Sequence, residues 1–361
     1  MGADRIDQPT AVRPGEELDL GRLQAYLSEN MPDLVGPLVV EQFPSGHSNL
    51  TYLLRVGERE VVLRRPPFGA RIKTAHDMGR EYRILSYLVR VYPKVPRPLL
   101  YCGDEFVLGA PFYLMERLEG IILRTAQPKG LELTPALMRR LSENLIDNLV
   151  EIHQIDYEAT GLACLGRPVG YVRRQIEGWI RRYQNARTDD IPEIDRVTAW
   201  LAEHILPAAG ASLIHNDYKY DNLVLDADDP SRIIGVLDWE MATVGDPLMD
   251  LGTTLGYWVD PDDPPEVKFL VSSPTVMAGN LNRRELVERY AVQSGRDLSN
   301  ILFYYVYALF KIAVIAQQIY ARYKAGFSKD ERFAVLIFAV RFLAKMAALA
   351  IEKGRIDDIG Y

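Results

Sequence analysis

The chain has 361 residues, long enough for two domains or for one large two-lobed unit. Its 48% hydrophobic and 25% charged residues are ordinary for a soluble globular protein, and 42 basic against 49 acidic residues give a formal charge of −7. That balance argues against nucleic acid as the main partner, which would call for a basic face.

Residues 1 to about 15 are polar, carry Pro9 and Pro14, and are expected to form a mobile tail. They contain no apolar signal-peptide segment. "EELDLGRLQAYLSENM" places Leu18, Leu20, Leu23, Tyr26 and Leu27 at helical spacing and predicts a short amphipathic helix. Three strand-like runs follow, "PLVVEQF", "NLTYLLRV" and "REVVLRRP", separated by "PSGHS" and "GE", which read as a β-meander. "AHDMGREYRILSYLVRV" reads as a helix, and "VPRPLLYCGDE" and "PFYLMERLEG" as two further strands. Beyond about residue 118 the pattern turns helical, with helices over 134–154, 169–186 and 191–209, a hairpin over 213–240, and helices to the end. A sheet-rich first third before a helical remainder predicts two lobes with a cleft between them.

Two apolar runs bracket the dense polar stretch "LIHNDYKYDNLVLD". Alone, such a stretch is a solvated turn more often than a site, since Asn and Asp are common in turns. Asp238 follows in "RIIGVLDWE", and a strand-turn-strand folding back through "DADDP" would bring it close to Asn222. Carboxylate and amide oxygens gathered in this way suit Mg²⁺, a hard ion that takes only one or two protein carboxylates beside phosphates. The protein-kinase template is H-R-D-x-x-x-x-N followed by the Asp of D-F-G, and "HNDYKYDN" supplies His215, Asp217 and Asn222 at that spacing.

"HNDYKYDNLVLD…GVLDWEMATVGDPLMDLG", with "SGHSNLTYLLRV", "VVLRRPP", "REYRILSYL" and "FYLMERLEG", resembles the aminoglycoside phosphotransferase and choline kinase-like superfamily. Within it the chain resembles the kinase-like regions fused to some acyl-CoA dehydrogenases. The resemblance spans roughly residues 35 to 345 and implies an α+β, protein-kinase-like two-lobed fold. Its parts would be a tail and helix over 1–29, an antiparallel-sheet N-lobe over 30–118 and a mainly helical C-lobe over 119–361, with ATP in the cleft.

The resemblance also implies roles. Asp217 would be the catalytic base, with His215 bracing its loop and Asp250 in "GDPLMDLG" anchoring the backbone around it. Asn222 and Asp238 would hold Mg²⁺. Arg64 falls where the family carries the cation that meets the ATP phosphates, and Glu81 would pair with it. Gly46 would let the backbone approach phosphate, with Ser45, Ser48 or Asn49 donating hydrogen bonds. Met115, Glu116 and Leu118 would lie in the hinge that meets adenine.

Other features read more plainly. Strand alternation puts Arg65 on the opposite sheet face from Arg64. His153 reads as a hydrogen-bonded core histidine, and Tyr304, Tyr305, Tyr307 and Tyr320 as helix core. "LFYYVYALFKIAVIAQQIY" is broken by Lys311 and Gln317-Gln318, so a buried helix fits it better than a membrane span. The acidic run "DPDDPPE" reads as solvated loop. Cys102 and Cys164 read as reduced thiols of a cytoplasmic protein.

The sequence therefore predicts an ATP- and Mg²⁺-dependent transfer of the γ-phosphoryl group to a hydroxyl of a small molecule, with no nucleic acid or membrane partner and the oligomeric state open. The acceptor implied by the resemblance to the dehydrogenase-fused regions is a hydroxyacyl compound or its CoA thioester, ahead of an aminoglycoside or amino alcohol. A catalytically silent nucleotide-binding scaffold and a metal-dependent hydrolase are the rival readings. The first would be expected to lose Asp217 or Asp238; the second has no need of a hinge or an Arg64–Glu81 pair.

Overall fold

The computed structural model describes residues 5–44, 49–68, 77–124, 130–264, 273–327 and 330–359. The chain divides into two compact units. One comprises residues 1–122 and 222–241, the other 123–221 and 242–361.

The first unit is built on a five-stranded antiparallel sheet. Its strands are β1 (Leu38–Gln42), β2 (Leu50–Val56), β3 (Arg59–Arg65), β4 (Pro98–Cys102) and β5 (Phe112–Glu116), in the order β1-β2-β3-β5-β4. Helix α1 (Leu20–Asn30) starts on the Asp19 cap and buries Leu23 and Leu27 among Tyr52, Leu54, Leu63 and Leu114. Helix α2 (Met78–Leu88) starts on Asp77 and buries Ile84, Leu85 and Leu88. Each of these fully buried leucines contributes about 2 kcal/mol by removal from water. With both faces of the sheet covered, β2 and β3 lose the usual alternation of buried and exposed residues.

The N-terminal segment is more ordered than its composition predicts. Thr10 exchanges both backbone hydrogen bonds with Gln42, and the Arg13 N–H donates to the Gln42 side chain at 2.9 Å. Edge strand β1 offers unpaired backbone groups, and this segment takes them. The hairpin of β7 (Leu223–Leu225) and β8 (Ile233–Val236) also belongs to the first unit, although it lies a hundred residues further along the chain. Sequence order alone places it with the helices.

The second unit is mainly helical. Its principal helices are Pro135–His153, Tyr171–Ala186, Pro192–Glu203, Pro247–Tyr257, Arg283–Ser294, Ile301–Lys324 and Leu336–Lys353, with a short strand pair, β6 (Ser212–Ile214) and β9 (Thr243–Gly245). Ile301–Lys324 and Glu331–Lys353 are long and apolar enough by composition to cross a membrane. The former buries Phe303 through Lys311 within the unit, including Tyr304, Tyr305 and Tyr307, while Tyr320 is half-buried.

The acidic run after Tyr257 departs from the solvated loop expected of it. Asp260 and Asp263 are buried, and the Arg283 guanidinium donates to the Asp263 carboxylate and to the carbonyls of Trp258 and Ile356, the latter at 2.7 Å. The Arg283 backbone N–H donates to Asp260 at 3.0 Å. Residues 265–272, the rest of that run among them, lie outside the described residues. Breaking a buried pair strands its surviving charge, so Asp263→Ala is expected to cost about 3–5 kcal/mol, read as a lower urea midpoint.

Candidate functional site

In the second unit, strand β6 delivers His215 and Asn216 into the core as irregular backbone. Two buried N–H groups there have no strand partner, and Asp250 on the helix Pro247–Tyr257 accepts both. The His215 N–H donates to Oδ2 and the Asn216 N–H to Oδ1, each at 2.6 Å. The His153 Nε2 lies 3.1 Å from the same Oδ2, and its Nδ1 lies 2.7 Å from the Tyr290 hydroxyl. Burial alone would raise the Asp250 carboxyl, but His153 and the loop N–H groups outweigh it and hold it below the usual range.

Asn216 has φ 68° and is held in that left-handed conformation. The next residue, Asp217, donates its N–H to His215 Nδ1 at 3.2 Å, so His215 braces the loop with its ring as well as its backbone. The Asp217 carboxylate faces the Lys219 ammonium at 3.4 Å. Lys219 itself stands over the Tyr257 ring, 4.5 Å from its centroid.

In the first unit, β7 and β8 pair Leu223 with Val236, and the Leu237 N–H donates to the Asn222 carbonyl at 2.8 Å. Asn222 and Asp238 therefore stand at the same end of one hairpin. Asp238 has φ 66° and begins a short turn, Trp239–Met241, locked by the Trp239 indole on the Val236 carbonyl at 2.9 Å.

Arg64 reaches this turn from β3. That strand is central in the sheet, and Arg64 and Arg65 at its C-terminal end are both buried rather than solvated. Arg64 lies with Val62 on the α2 face. It meets Glu81 at 3.3 Å, Glu240 at 3.2 Å and Asp238 in a short contact. Arg65 turns to the other face, donates to the Leu108 carbonyl at 3.0 Å and stacks on Phe68. Burial pushes the Glu81 carboxyl up, with the Arg64 charge pulling against it. Asn49 is buried and donates to Glu240. Ser45, Gly46 and Ser48 lie outside the described residues.

Glu240 escaped the sequence reading, although it sits two residues beyond Asp238. An acidic residue two positions after an expected metal carboxylate is the available signal. Lys219, two residues beyond Asp217, also escaped it, since a single lysine in a polar loop carries no spacing signal.

The hinge segment is pinned on one side. Met115 is buried, and the Glu116 N–H donates to the Arg97 carbonyl at 2.9 Å. Ile121 bridges Leu225, and a side chain at Gly120 would collide with the Leu225 carbonyl. Leu118 packs directly over Gly235.

The donor set at the end of the hairpin suits a hard divalent cation. Asp238 and Asn222 offer carboxylate and amide oxygens, and the Arg64 guanidinium faces three carboxyl groups. Among the described residues no cluster of three or more His, Cys, Asp or Glu side chains forms a closed metal cage. That is compatible with Mg²⁺, which usually keeps waters and shares its shell with phosphates.

Residues 39–284 match the phosphotransferase enzyme family, APH. The chain belongs to that family. Among curated proteins it is 34% identical over 343 residues to acyl-CoA dehydrogenase family member 11 of Rattus norvegicus, covering 92% of this chain and 43% of that protein. It is 33% identical over 293 residues to family member 10 of Mus musculus, covering 81% of this chain and 27% of that protein. The chain thus spans less than half the length of these relatives. Among solved structures it is similar to a protein of Ralstonia eutropha provisionally designated an aminoglycoside phosphotransferase, with TM-score 0.78 and 30% identity, covering 93% of this chain and 99% of that one. Aminoglycoside phosphotransferase APH(4)-Ia, solved with AMP-PNP and hygromycin B, shares the fold at TM-score 0.58 and 16% identity, over 90% of this chain and 97% of that one. The chain thus has the α+β, protein-kinase-like fold, with a five-stranded antiparallel sheet in one unit and mainly helices in the other.

The network around Arg64 generates a prediction for this phosphotransferase. Arg64→Met leaves Glu81, Asp238 and Glu240 facing one another without their cation, at a cost of about 3–5 kcal/mol at neutral pH. Without Arg64 the buried Glu81 carboxyl, already pushed up to about 7, loses the charge that pulls it down, so its folded pKa rises further above the unfolded one and the native state gains stability as pH falls through it. Urea titrations should show the deficit of Arg64→Met shrinking as pH falls toward about 7, where wild-type Glu81 takes up its own proton.

Proposed function

We propose that the protein transfers the γ-phosphoryl group of ATP to a hydroxyl of a small molecule. The observation that carries this reading is the placement of Asp217 on a loop fastened by buried Asp250, ahead of a hairpin that presents Asn222 and Asp238 at one end. Asp217 orients the acceptor hydroxyl and takes its proton. Arg64, held by Glu81, meets the nucleotide phosphates with a fork suited to phosphate oxygens. Asn222 and Asp238 hold Mg²⁺, which when bound neutralises charge on the phosphate oxygens. The AMP-PNP bound to APH(4)-Ia supports ATP as the donor. Asn49 and the residues before it serve the phosphates, and Met115, Glu116 and Leu118 the base.

The acceptor proposed is a hydroxyacyl compound or its coenzyme A thioester. The support is the 30–34% identity to proteins named as acyl-CoA dehydrogenase family members, against 12–19% to the aminoglycoside and macrolide phosphotransferase structures other than the Ralstonia protein. ADP release should be screened over hydroxyacyl thioesters, amino alcohols and aminoglycosides. Release only with the latter two classes would overturn the acyl assignment. Release of phosphate with no acceptor dependence would favour a hydrolase.

Asp217→Ala is expected to lower turnover by about 10²–10⁴-fold while nucleotide binding survives. Asp238→Ala is expected to weaken Mg·ATP binding itself by roughly tenfold or more, about 1.4 kcal/mol, measured by calorimetry. Equal turnover in wild type and Asp217→Ala would remove the base assignment.

A further inference from the structure

Lys311 lies in the middle of the apolar helix Ile301–Lys324 and is 1% exposed. An ammonium taken out of water costs several kcal/mol unless its surroundings compensate it. Its hydrogen bonds go to a carbonyl and a hydroxyl. It donates to the Asn216 carbonyl at 2.8 Å and more weakly to Thr253 Oγ1 at 3.4 Å. The Thr253 hydroxyl gives its own proton to the Met249 carbonyl at 2.9 Å, which leaves its lone pairs for the ammonium. Asp217 and Asp250 act on Lys311 as attractive charges and Lys219 as a repulsive one.

Asn216 is the left-handed residue directly before the proposed base. Its N–H is fixed by Asp250 and its side-chain amide reaches the Tyr171 hydroxyl at 3.5 Å. Its carbonyl is fixed by Lys311. The peptide that joins Asn216 to Asp217 is thus clamped at its carbonyl by a cation from a helix nearly a hundred residues away in sequence.

We propose that Lys311 is a positioning residue, an ammonium clamp that holds the Asn216–Asp217 peptide in the orientation that aims Asp217 at its acceptor. The role in turnover rests on the phosphotransfer reading above; the clamp itself does not. A lysine needed only to fill space would be replaced by methionine without loosening the loop, since a buried charge often gives way to an apolar residue of like volume at no cost.

Burial lowers the Lys311 ammonium to about 8 from its ordinary 10.5, with Asp217 and Asp250 pulling it back up. Loss of that proton weakens a charge-assisted hydrogen bond to a neutral one. The clamp should therefore loosen as pH rises through about 8. Global stability moves the other way. The unfolded lysine still binds its proton between about 8 and 10.5, so relief of the buried charge raises stability across that window.

The test uses the full chain, hydrogen–deuterium exchange of residues 213–220 corrected for intrinsic rate, and ADP release from Mg·ATP with each acceptor class of the screen above (hydroxyacyl thioesters, amino alcohols and aminoglycosides). In Lys311→Met, loop exchange should quicken at least tenfold while the helix 135–153 is unchanged. Turnover should fall more than tenfold with KM for ATP within threefold. Lys311→Arg should keep the loop slow, retain turnover within fivefold, and abolish the loss of kcat that wild type shows above about pH 8. Loop exchange in a folded Lys311→Met within twofold of wild type would overturn the clamp. Absence of ADP release from the wild type would count against the phosphotransfer reading, and the exchange data would still decide the clamp. Should Lys311→Met not fold, wild-type loop exchange from pH 7 to 9.5 decides: acceleration while the unfolding temperature holds or rises supports the clamp, and a flat profile overturns it.

Discussion

A single buried carboxylate makes the second unit's polar loop possible. The backbone at His215 and Asn216 leaves the strand geometry of β6 while still inside the core, so its N–H groups would be stranded without water. Each such orphan costs about 1–3 kcal/mol. Asp250 accepts both, and His153 and Tyr290 behind it satisfy the rest of the chain of donors. Irregular backbone inside a core is rigid when every polar group on it has a partner. That rigidity places Asp217, because its own N–H closes on the His215 ring. The same carboxylate explains why a histidine with apolar sequence neighbours, His153, is buried where it is.

The first unit meets a related problem with the opposite charge. Arg64 shows what a fork gains over a point charge. One guanidinium reaches Glu81 on a helix and both Asp238 and Glu240 on a turn. Lysine, with a single compact ammonium, would have to choose among them. Arg80 adds a second guanidinium to the turn, on the Glu240 carbonyl at 2.7 Å. Glu240 ties the turn to Asn49 as well, so the start of β2 is coupled to the turn that bears Asp238.

The parts of this molecule legible in its sequence are those governed by local rules. Period-two and period-3.6 patterns located the strands and helices, and alternation along β3 assigned Arg64 and Arg65 to opposite faces. The order His215, Asp217, Asn222, Asp238, Asp250 was readable because its spacing is a chain property. What could not be read depends on pairing across long separations. The tail around Thr10 looked unstructured because its partner, Gln42, lies on an edge strand whose free side is not visible in sequence. The hairpin 223–236 grouped with the helices by order yet packs with the sheet through Ile121 and Gly120. Asp260 and Asp263 looked solvated because the cation that buries them, Arg283, comes from a later helix.

Backbone conformation adds a separate line of support. Among the described residues three other than glycine have a left-handed φ: Asn216, Asp238 and Asp358. Such a conformation costs roughly 1–2 kcal/mol for an L-residue, less for Asn and Asp. Two of the three fall in the two polar motifs singled out by spacing; Asn216 is held by Asp250, Tyr171 and Lys311, and Asp238 by Arg64. Strain that the surroundings over-determine in this way is concentrated at sites that need a side chain aimed in a direction regular structure cannot provide. At Asn216 the bend turns the chain so that the next residue, Asp217, leaves the core. At Asp238 it turns the carboxylate itself toward Arg64. Composition and periodicity select neither bend, yet one falls directly before Asp217 and the other at Asp238, two of the residues proposed for phosphoryl transfer.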